Sequence, residues 1–235
     1  MTDGIAVERK FMDHYTQPEF DASALITIDT QRDTLDGQPL EISGTSAILP
    51  NMRRLIETFR AHQRPIVHIV RLYKPDGSNV DLCRRSTVES GQALLAPGAL
   101  GSELAPGLLP EGRALDCERL LSGEIQRVSD REAIIYKPRW GAFYRTSLEQ
   151  HLRGLGITTT TFTGCNFPNC PRASIVEASE RDFRVVVVRD AVSGLDERGA
   201  SEMRNIGVTV LTTKELLATL AGRATAAGRP GRQGV

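Results

Sequence analysis

Short apolar stretches recur along the chain and alternate with longer segments of helical periodicity. The stretches are continuous runs in which Val, Ile, Leu and Thr dominate: Ala24–Ile28, Pro65–Val70, Ala133–Tyr136, Thr158–Phe162, Arg184–Val188 and Val208–Leu211. Continuous apolar strands separated by helices are typical of a parallel sheet whose two faces are both covered. The sequence therefore predicts a single α/β domain with three layers, α/β/α, and a mainly parallel, Rossmann-like sheet of about six strands.

The segments between these strands place apolar residues at helical spacing. Helices are predicted at Ala47–Ala61, at Thr146–Leu155, directly after Cys170, at Ser201–Ile206 and at Thr213–Leu220. The stretch Tyr73–Val128 is rich in Gly, Pro and charge and is predicted to form loops with one short helix, as either a lid or an interface. Residues 1–21 are interpreted as an N-terminal extension, 22–221 as the domain, and 222–235 as a disordered Gly/Arg/Ala tail.

Composition bears on the partners of the chain and on the compartment where it is expected to occur. The 235 residues include 29 basic and 29 acidic side chains, so the formal net charge is zero and gives no support for nucleic acid or an acidic membrane as a partner. No apolar run approaches the roughly 20 residues of a membrane span, and the N-terminus has no secretory signal pattern. The four cysteines show no framework spacing, which predicts a cytoplasmic protein with reduced thiols.

The segment around Cys170 is the strongest functional signal. Gly164 permits a sharp exit from the preceding strand, and Pro171 suits the first position of a helix. A cysteine at the start of a helix lies at the positive end of the helix dipole, which favours the thiolate and so predicts a nucleophile. Cys165, in the turn itself, is a second candidate nucleophile or a disulfide partner of Cys170, and a buried structural role is the alternative for both.

Two further residues follow predicted strands in the same manner, namely Asp29 and Lys137. Because the carboxyl ends of parallel strands meet at one edge, Asp29, Lys137 and Cys170 are expected to lie together there. The Lys137 ammonium would stabilise a thiolate, and the Asp29 carboxylate would accept and return its proton. Taken singly, each residue also has an ordinary structural interpretation, as a turn former or a solvated charge.

Three blocks carry a family resemblance: LITIDTQRD around Asp29, YKPRWGAFYRTSLEQHLRGLGI after Tyr136, and TFTGCNFPNCPRASIVEASERDF around Cys170. In their order and context the chain resembles the isochorismatase-like cysteine hydrolases over residues 22–220, especially the amidohydrolase branch of N-carbamoylsarcosine and ureide amidohydrolases and streptothricin hydrolase. The resemblance implies a catalytic triad of Asp29, Lys137 and Cys170. It also implies a cis peptide between Cys165 and Asn166, an oxyanion hole formed by the amides of Asn166 and Cys170, and a homodimer or homotetramer.

The chain also departs from the family pattern. Between Cys165 and Cys170 it carries Asn166, Phe167 and Pro168, where the family usually has a small or β-branched residue and a Thr. Nicotinamidases of the family carry Asp and His metal ligands soon after the second strand, but here that stretch reads RLYKPDGSNVD and has no His. His68 is interpreted as a core or edge residue. We therefore predict neither a catalytic metal nor a cofactor.

Residues near the predicted triad are candidates for binding the substrate. They are Gln31, Trp140, Phe143 and Phe167. Arg139 and Arg172 could bind a carboxylate, although a solvated charge is the favoured interpretation of both. The sequence thus predicts a metal-independent cysteine hydrolase that cleaves a C–N bond of a small amide, ureide, N-carbamoyl compound or lactam through a thioester acyl-enzyme. The alternatives are a non-catalytic α/β module that binds a small ligand or a partner, and a nicotinamidase-like enzyme.

Overall fold

A central sheet of seven strands organises the molecule. The computed structural model describes residues 13–227, with side chains described as far as Gly222. The strands are β1 (Ser23–Ile28), β2 (Ile66–Val70), β3 (Gln126–Ser129), β4 (Glu132–Tyr136), β5 (Thr159–Gly164), β6 (Arg184–Val192) and β7 (Thr209–Leu211). Their order across the sheet is β3-β4-β2-β1-β5-β6-β7. The predicted α/β class and mainly parallel sheet are confirmed.

The strand that the sequence did not predict is β3, the edge strand that pairs antiparallel with β4. All the other neighbouring strands pair in parallel. Only Val128 of β3 is buried, because an edge strand covers little of the core. A strand with one buried residue leaves no continuous apolar run, so the sequence pattern does not separate it from the irregular stretch Tyr73–Val128.

Helices cover both faces of the sheet. They are α1 (Thr45–Ala61), α2 (Leu82–Glu89), α3 (Cys117–Leu121), α4 (Leu148–Gly154), α5 (Cys170–Ser179), α6 (Glu197–Asn205) and α7 (Thr213–Ala227). Successive residues of β1 point to opposite faces, so Leu25 packs in the core that α1 and α7 cover, and Ile26 in the core that α4, α5 and α6 cover. The result is the predicted three-layer arrangement.

Two predictions about the chain outside the sheet need correction. The stretch Tyr73–Val128 contains two helices, α2 and α3, and the 3-10 turn Leu100–Ser102, rather than one short helix. The predicted disorder from residue 222 is wrong as far as Ala227, because α7 continues to that residue. The remainder of the tail and residues 1–12 lie outside the described residues. Between residues 13 and 227, the structure contains no helix long and apolar enough to span a membrane.

A buried polar network joins α1 to the sheet. The Glu132 carboxylate accepts hydrogen bonds from Arg60 at 2.6 and 2.8 Å and lies 2.9 Å from Nε2 of His68. His68 is fully buried, and its Nδ1 lies 2.8 Å from the Thr27 hydroxyl. The hydrogen bonds from Arg60 and His68 outweigh burial and lower the pKa of Glu132 to about 2. His68 therefore has a structural place in the core.

Replacing Glu132 with Gln is expected to destabilise the protein by roughly 3 kcal/mol at pH 7, the equivalent of the pKa difference between the unfolded and folded carboxyl. Because the folded pKa is the lower one, the contribution is complete above about pH 5 and is lost as the pH falls toward 2. Urea denaturation of both proteins at pH 7 and pH 3 measures this. The difference should shrink at pH 3, whereas the exposed control Glu118→Gln should differ little from wild type at either pH. An equal difference at both pH values would contradict the assignment.

The parallel strands bring four residues to one edge of the sheet. Asp29, Arg71 and Lys137 each directly follow a strand, namely β1, β2 and β4, and Cys165 follows β5. Backbone hydrogen bonds hold them in register, since the Asp29 amide donates to Ile69 and the Lys137 amide to Val70, both at 3.0 Å. The carboxyl edge of the sheet is thus where charged and thiol side chains converge.

Candidate active site

A buried ion pair lies at the carboxyl edge of the sheet. Lys137 Nζ lies 2.7 Å from Oδ2 of Asp29, and neither residue is more than 5% exposed. Lys137 Nζ also donates to the carbonyl of Arg139 at 3.1 Å. The other carboxylate oxygen, Oδ1 of Asp29, is buried and has no hydrogen-bond partner in the described structure. A buried, unpartnered carboxylate oxygen is costly, so this atom is available to accept a proton or a hydrogen bond from a ligand.

Cys170 enters the same cleft at the first residue of α5. The turn that leads to Cys170 depends on Gly164, whose φ is +114°. A Cβ atom at this position would lie only 2.2 Å from the carbonyl oxygen of Ile28. Only glycine allows β5 to approach β1 so closely at its end. The Cys165 amide then donates to that same carbonyl at 2.9 Å. The backbone of the turn is therefore held against the end of β1.

The turn also leaves two backbone amides without acceptors. The peptide bond between Cys165 and Asn166 is cis, as the family resemblance implies. Throughout the part of the chain that the structure describes, the amides of Asn166 and Cys170 donate to no protein acceptor, whereas the intervening Phe167 amide donates to the Ser193 carbonyl at 2.8 Å. Two free amides beside a thiol are the arrangement that can bind an oxyanion.

The electrostatic state of Cys170 differs from the sequence-based expectation of a thiolate. Burial first, and then the negative charge of Asp29, raise the pKa of the Cys170 thiol to about 12, although the charges of Lys137 and Arg71 act in the opposite direction. The helix dipole is a local effect and does not overcome these two. The raised pKa favours the thiol form of Cys170 at neutral pH, so a nucleophilic role would require a nearby base to remove its proton.

Cys165 occupies a different position from Cys170. It is fully buried, and its Sγ donates to the Asp29 carbonyl at 3.0 Å. Burial raises the pKa of the Cys165 thiol to about 12. Both cysteines are free thiols, so the disulfide interpretation is not supported. Cys165 packs beneath the site and helps to hold the Asp29 backbone, whose φ is +47°.

The walls of the cleft come from three parts of the chain. The loop after β1 contributes Thr34, Leu40 and Ile42, the segment after β2 contributes Arg71, Arg84 and Leu95, and the turn before α5 contributes Asn166 and Asn169. The lining combines charged side chains with the aliphatic side chains of Leu40, Ile42 and Leu95. The stretch Tyr73–Val128 therefore forms part of a cleft wall, through Arg84 and Leu95.

Three of the predicted substrate-binding residues lie elsewhere. Gln31 is buried, and its amide group donates to the carbonyls of Arg71 and Ser102 at 2.8 and 2.6 Å and accepts from the Arg71 amide. Phe143 packs in the core with its ring 5.8 Å from that of Phe183. Phe167 is buried in the same core against α6. These three side chains have their contacts within the protein and none lines the cleft.

Trp140 does not line the cleft itself but contacts a residue that does, Arg84. It is partly exposed and borders a shallow groove along α5 with Pro168 and Arg172. Its ring also lies 5.6 Å from the guanidinium of Arg84, a cation–π contact. Trp140 therefore supports a wall of the cleft. Arg172 pairs with Glu202 at 2.9 Å, and Arg139 donates to the Asn79 carbonyl at 3.1 Å, so neither lines the cleft.

Sequence reasoning missed the two arginines that do line the cleft. Arg71 directly follows β2, as Asp29 follows β1, so the rule that located Asp29 and Lys137 could also have located Arg71. Arg84 lies on the short helix α2, whose one buried apolar residue, Val88, gives no periodic pattern. Nothing in the sequence around Arg84 distinguishes it from a solvated surface charge.

The donor set after β2 does not fit a metal of the kind that nicotinamidases hold. That stretch brings the guanidinium of Arg71 and the phenol of Tyr73 to the carboxylate of Asp81. In the residues that the structure describes, no three His, Cys, Asp or Glu side chains come together closely enough to hold a metal ion. A cationic guanidinium that pairs with the Asp81 carboxylate disfavours a divalent cation at that point.

Comparison with known proteins agrees with this geometry. The model of the isochorismatase domain matches residues 23–215, which is most of the chain and includes Asp29, Lys137 and Cys170. The chain belongs to the isochorismatase family. An isochorismatase family protein of Desulfovibrio vulgaris has a similar structure, with a TM-score of 0.73 and 31% identity, over 85% of this chain and 98% of that one.

Relatives with more specific names indicate the chemistry of the family. N-carbamoylsarcosine amidase of Thermoplasma acidophilum superimposes with a TM-score of 0.64 at 25% identity, over 81% of this chain and 96% of that one. A ureidoacrylate amidohydrolase of Methylorubrum extorquens is 27% identical over 73% of this chain and 69% of its own. A protein of Arabidopsis thaliana named a probable inactive nicotinamidase is 29% identical over 82% of this chain and 93% of its own.

Proposed function

We propose that this chain is a metal-independent cysteine amidohydrolase that cleaves a C–N bond of a small amide, ureide or N-carbamoyl compound. The observation that carries the proposal is the buried ion pair of Asp29 and Lys137, 2.7 Å apart, whose Asp29 lines the same cleft as Cys170. The pair provides a base with one unpartnered oxygen beside a thiol nucleophile. Both charges are held in place by backbone contacts from neighbouring strands, so the geometry is preorganised.

In the first half of the reaction, Asp29 takes the Cys170 proton as Sγ attacks the carbonyl carbon of the substrate. The raised pKa of the thiol makes this transfer part of the attack rather than a prior ionisation. The amides of Asn166 and Cys170 donate to the developing oxyanion, and the Lys137 ammonium stabilises the negative charge. The protonated Asp29 then gives its proton to the leaving nitrogen, which departs as ammonia or an amine.

In the second half, water releases the acyl group. Asp29 is again a carboxylate, and it takes a proton from a water molecule while the oxygen of that water attacks the thioester carbon. The C–S bond breaks, and the thiolate recovers a proton through Asp29, which restores the neutral thiol. The net change is hydrolysis of one C–N bond, with no external oxidant or reductant.

The names of the relatives support the choice among substrates. Two of them are named for a ureido or a carbamoyl compound, and both kinds of compound contain a carbamoyl group. A nicotinamidase-like function is less well supported, because the stretch after β2 does not fit the metal site of that branch. A lactam substrate has no structural observation in its favour.

A non-catalytic binding module is the competing function, and the relative named as inactive favours it. The unpartnered Oδ1 of Asp29 argues against it, because burying that oxygen costs stability and brings a pure binding module no benefit. The free state of Cys83, Cys117, Cys165 and Cys170 suits a reducing compartment, in agreement with a cytoplasmic enzyme. We expect a homodimer or homotetramer, which light scattering would detect.

Ammonia release from a panel of small amides tests the proposal. The panel contains N-carbamoyl amino acids, ureido acids, maleamate and nicotinamide, and Asp29→Asn, purified in parallel, controls for contaminating amidases. We expect wild-type protein to release ammonia from at least one carbamoyl or amide compound and the variant to release far less. Equal release by both proteins, or no release from any compound, would favour the binding module.

A further inference from the structure

The cleft beside Cys170 contains one more positive charge than its own carboxylates neutralise. Lys137 pairs with Asp29, and Arg71 forms a salt bridge with Asp81, so these four charges cancel in two pairs. Arg84 lines the same cleft, and over residues 13–227 no carboxylate lies within salt-bridge distance of it. The cleft is therefore complementary to an anion.

The surroundings of Arg84 hold its guanidinium in place without neutralising it. One N–H donates to the Tyr73 hydroxyl at 2.9 Å, and the group lies over the Trp140 ring at 5.6 Å from its centroid. A guanidinium has five N–H donors, so most of them remain for a ligand. A partly buried cation without a counter-ion is costly, and that cost is recovered when an anion binds.

Arg71 adds a second donor to this part of the cleft. Its side chain is buried, and one Nη donates to the Lys137 carbonyl at 3.4 Å while the other pairs with Asp81. Its Nε is buried and has no hydrogen-bond partner in the described structure. Asp33, a further buried carboxylate nearby, does not line the cleft, and its Oδ2 accepts from the Leu95 amide at 2.7 Å.

We propose that Arg84 is the residue that determines specificity, and that it binds a carboxylate on the substrate while the thiol attacks that substrate's carbamoyl or amide carbon. The proposal rests on the proposed function and narrows it. The substrate class is small amides and ureides that carry a carboxylate, such as N-carbamoyl amino acids and ureido acids. Guanidinium groups suit this role because their paired N–H donors match the two oxygens of a carboxylate.

A matched pair of substrates tests the proposal. N-carbamoyl-β-alanine carries the carboxylate, and N-(3-hydroxypropyl)urea replaces it with a neutral group of similar length. The proteins are wild type, Arg84→Gln, Arg84→Lys and the neighbouring control Arg85→Gln, whose Nη donates to the Val80 carbonyl outside the cleft. Melting temperatures and far-UV circular dichroism show that each variant is folded, and kcat/KM is measured for both substrates.

We expect wild-type protein to prefer the carboxylate substrate by about 10- to 100-fold, the range of a charge-assisted hydrogen bond. Arg84→Gln should lose most of that preference, chiefly through a higher KM for the carboxylate substrate. Arg84→Lys should recover part of the preference, and Arg85→Gln should resemble wild type. Equal hydrolysis of both substrates by wild type, or an unchanged preference in Arg84→Gln, overturns the role of Arg84 and leaves the proposed function intact. Hydrolysis of neither substrate overturns the role of Arg84, and the proposed function is overturned with it only when no compound of the amide panel releases ammonia.

Discussion

Replacing Asp29 with Asn is expected to lower turnover by about 10²- to 10⁴-fold, the usual contribution of a general base, and at the same time to make Cys170 more reactive toward iodoacetamide at pH 7. Turnover falls because the Asn amide cannot accept the thiol proton. Reactivity rises because the negative charge of Asp29 holds the thiol pKa up, and its loss leaves the Lys137 ammonium to stabilise the thiolate. Few substitutions change hydrolysis and alkylation in opposite directions.

The two effects are measured on the same preparations. Ammonia release gives turnover, and mass spectrometry of protein alkylated for increasing times gives the rate at Cys170. The exposed Cys83 is an internal reference for reagent and pH in both proteins. In wild type, Cys170 should react more slowly than Cys83 at pH 7 and accelerate only as the pH rises toward 12. Unchanged or slower alkylation of Cys170 in the folded variant would contradict the electrostatic account.

Replacing Cys170 with Ala is expected to reduce turnover to the background of the assay, because the other thiol that lines the cleft, Cys165, is fully buried and donates to the Asp29 carbonyl. The matched control is Cys165→Ala, which removes a buried thiol in the same turn that bonds to the Asp29 carbonyl. That control should keep a large part of the activity and lose some stability, since a small buried group is removed. Steady-state ammonia release and thermal melts of both variants measure this.

The pattern of the two cysteine variants decides between alternatives. Loss of activity in Cys165→Ala with retention in Cys170→Ala would show that Cys165, and not Cys170, is the nucleophile. Retention in both would remove cysteine chemistry from the proposal. Because Cys170 is also buried, its truncation to Ala should cost some stability too, so the thermal melts must show that both variants are folded before their turnover is compared.

The sheet and the positions of Asp29 and Lys137 could be predicted from the sequence because both depend on one strong signal. Buried parallel strands give continuous apolar runs, and the residue after each run must lie at the carboxyl edge. The family resemblance added two further predictions: the cis peptide between Cys165 and Asn166, and catalytic roles for Asp29, Lys137 and Cys170. What the structure contributes is that Asp29 and Cys170 line one cleft and that Lys137 contacts Asp29.

Features that depend on long-range contacts could not be predicted in this way. Gln31 follows β1 closely enough to suggest that its side chain lines the cleft. Its side-chain amide instead donates to the backbone carbonyls of Arg71 and Ser102. The thiol pKa was misjudged because the helix dipole can be inferred from local sequence, whereas burial and the field of Asp29 cannot. Arg84 was missed since its short helix has no apolar periodicity.

Trapping the acyl-enzyme tests the central claim most directly. Wild-type protein is mixed with a substrate from the ammonia-releasing panel, quenched in acid during turnover and measured by intact-protein mass spectrometry. Fragmentation of the peptide that holds both Cys165 and Cys170 locates any adduct. We predict an added mass equal to the acyl part of the substrate, on Cys170, and none in Cys170→Ala. An adduct on Cys165, or full turnover with no adduct on either cysteine, would contradict the account.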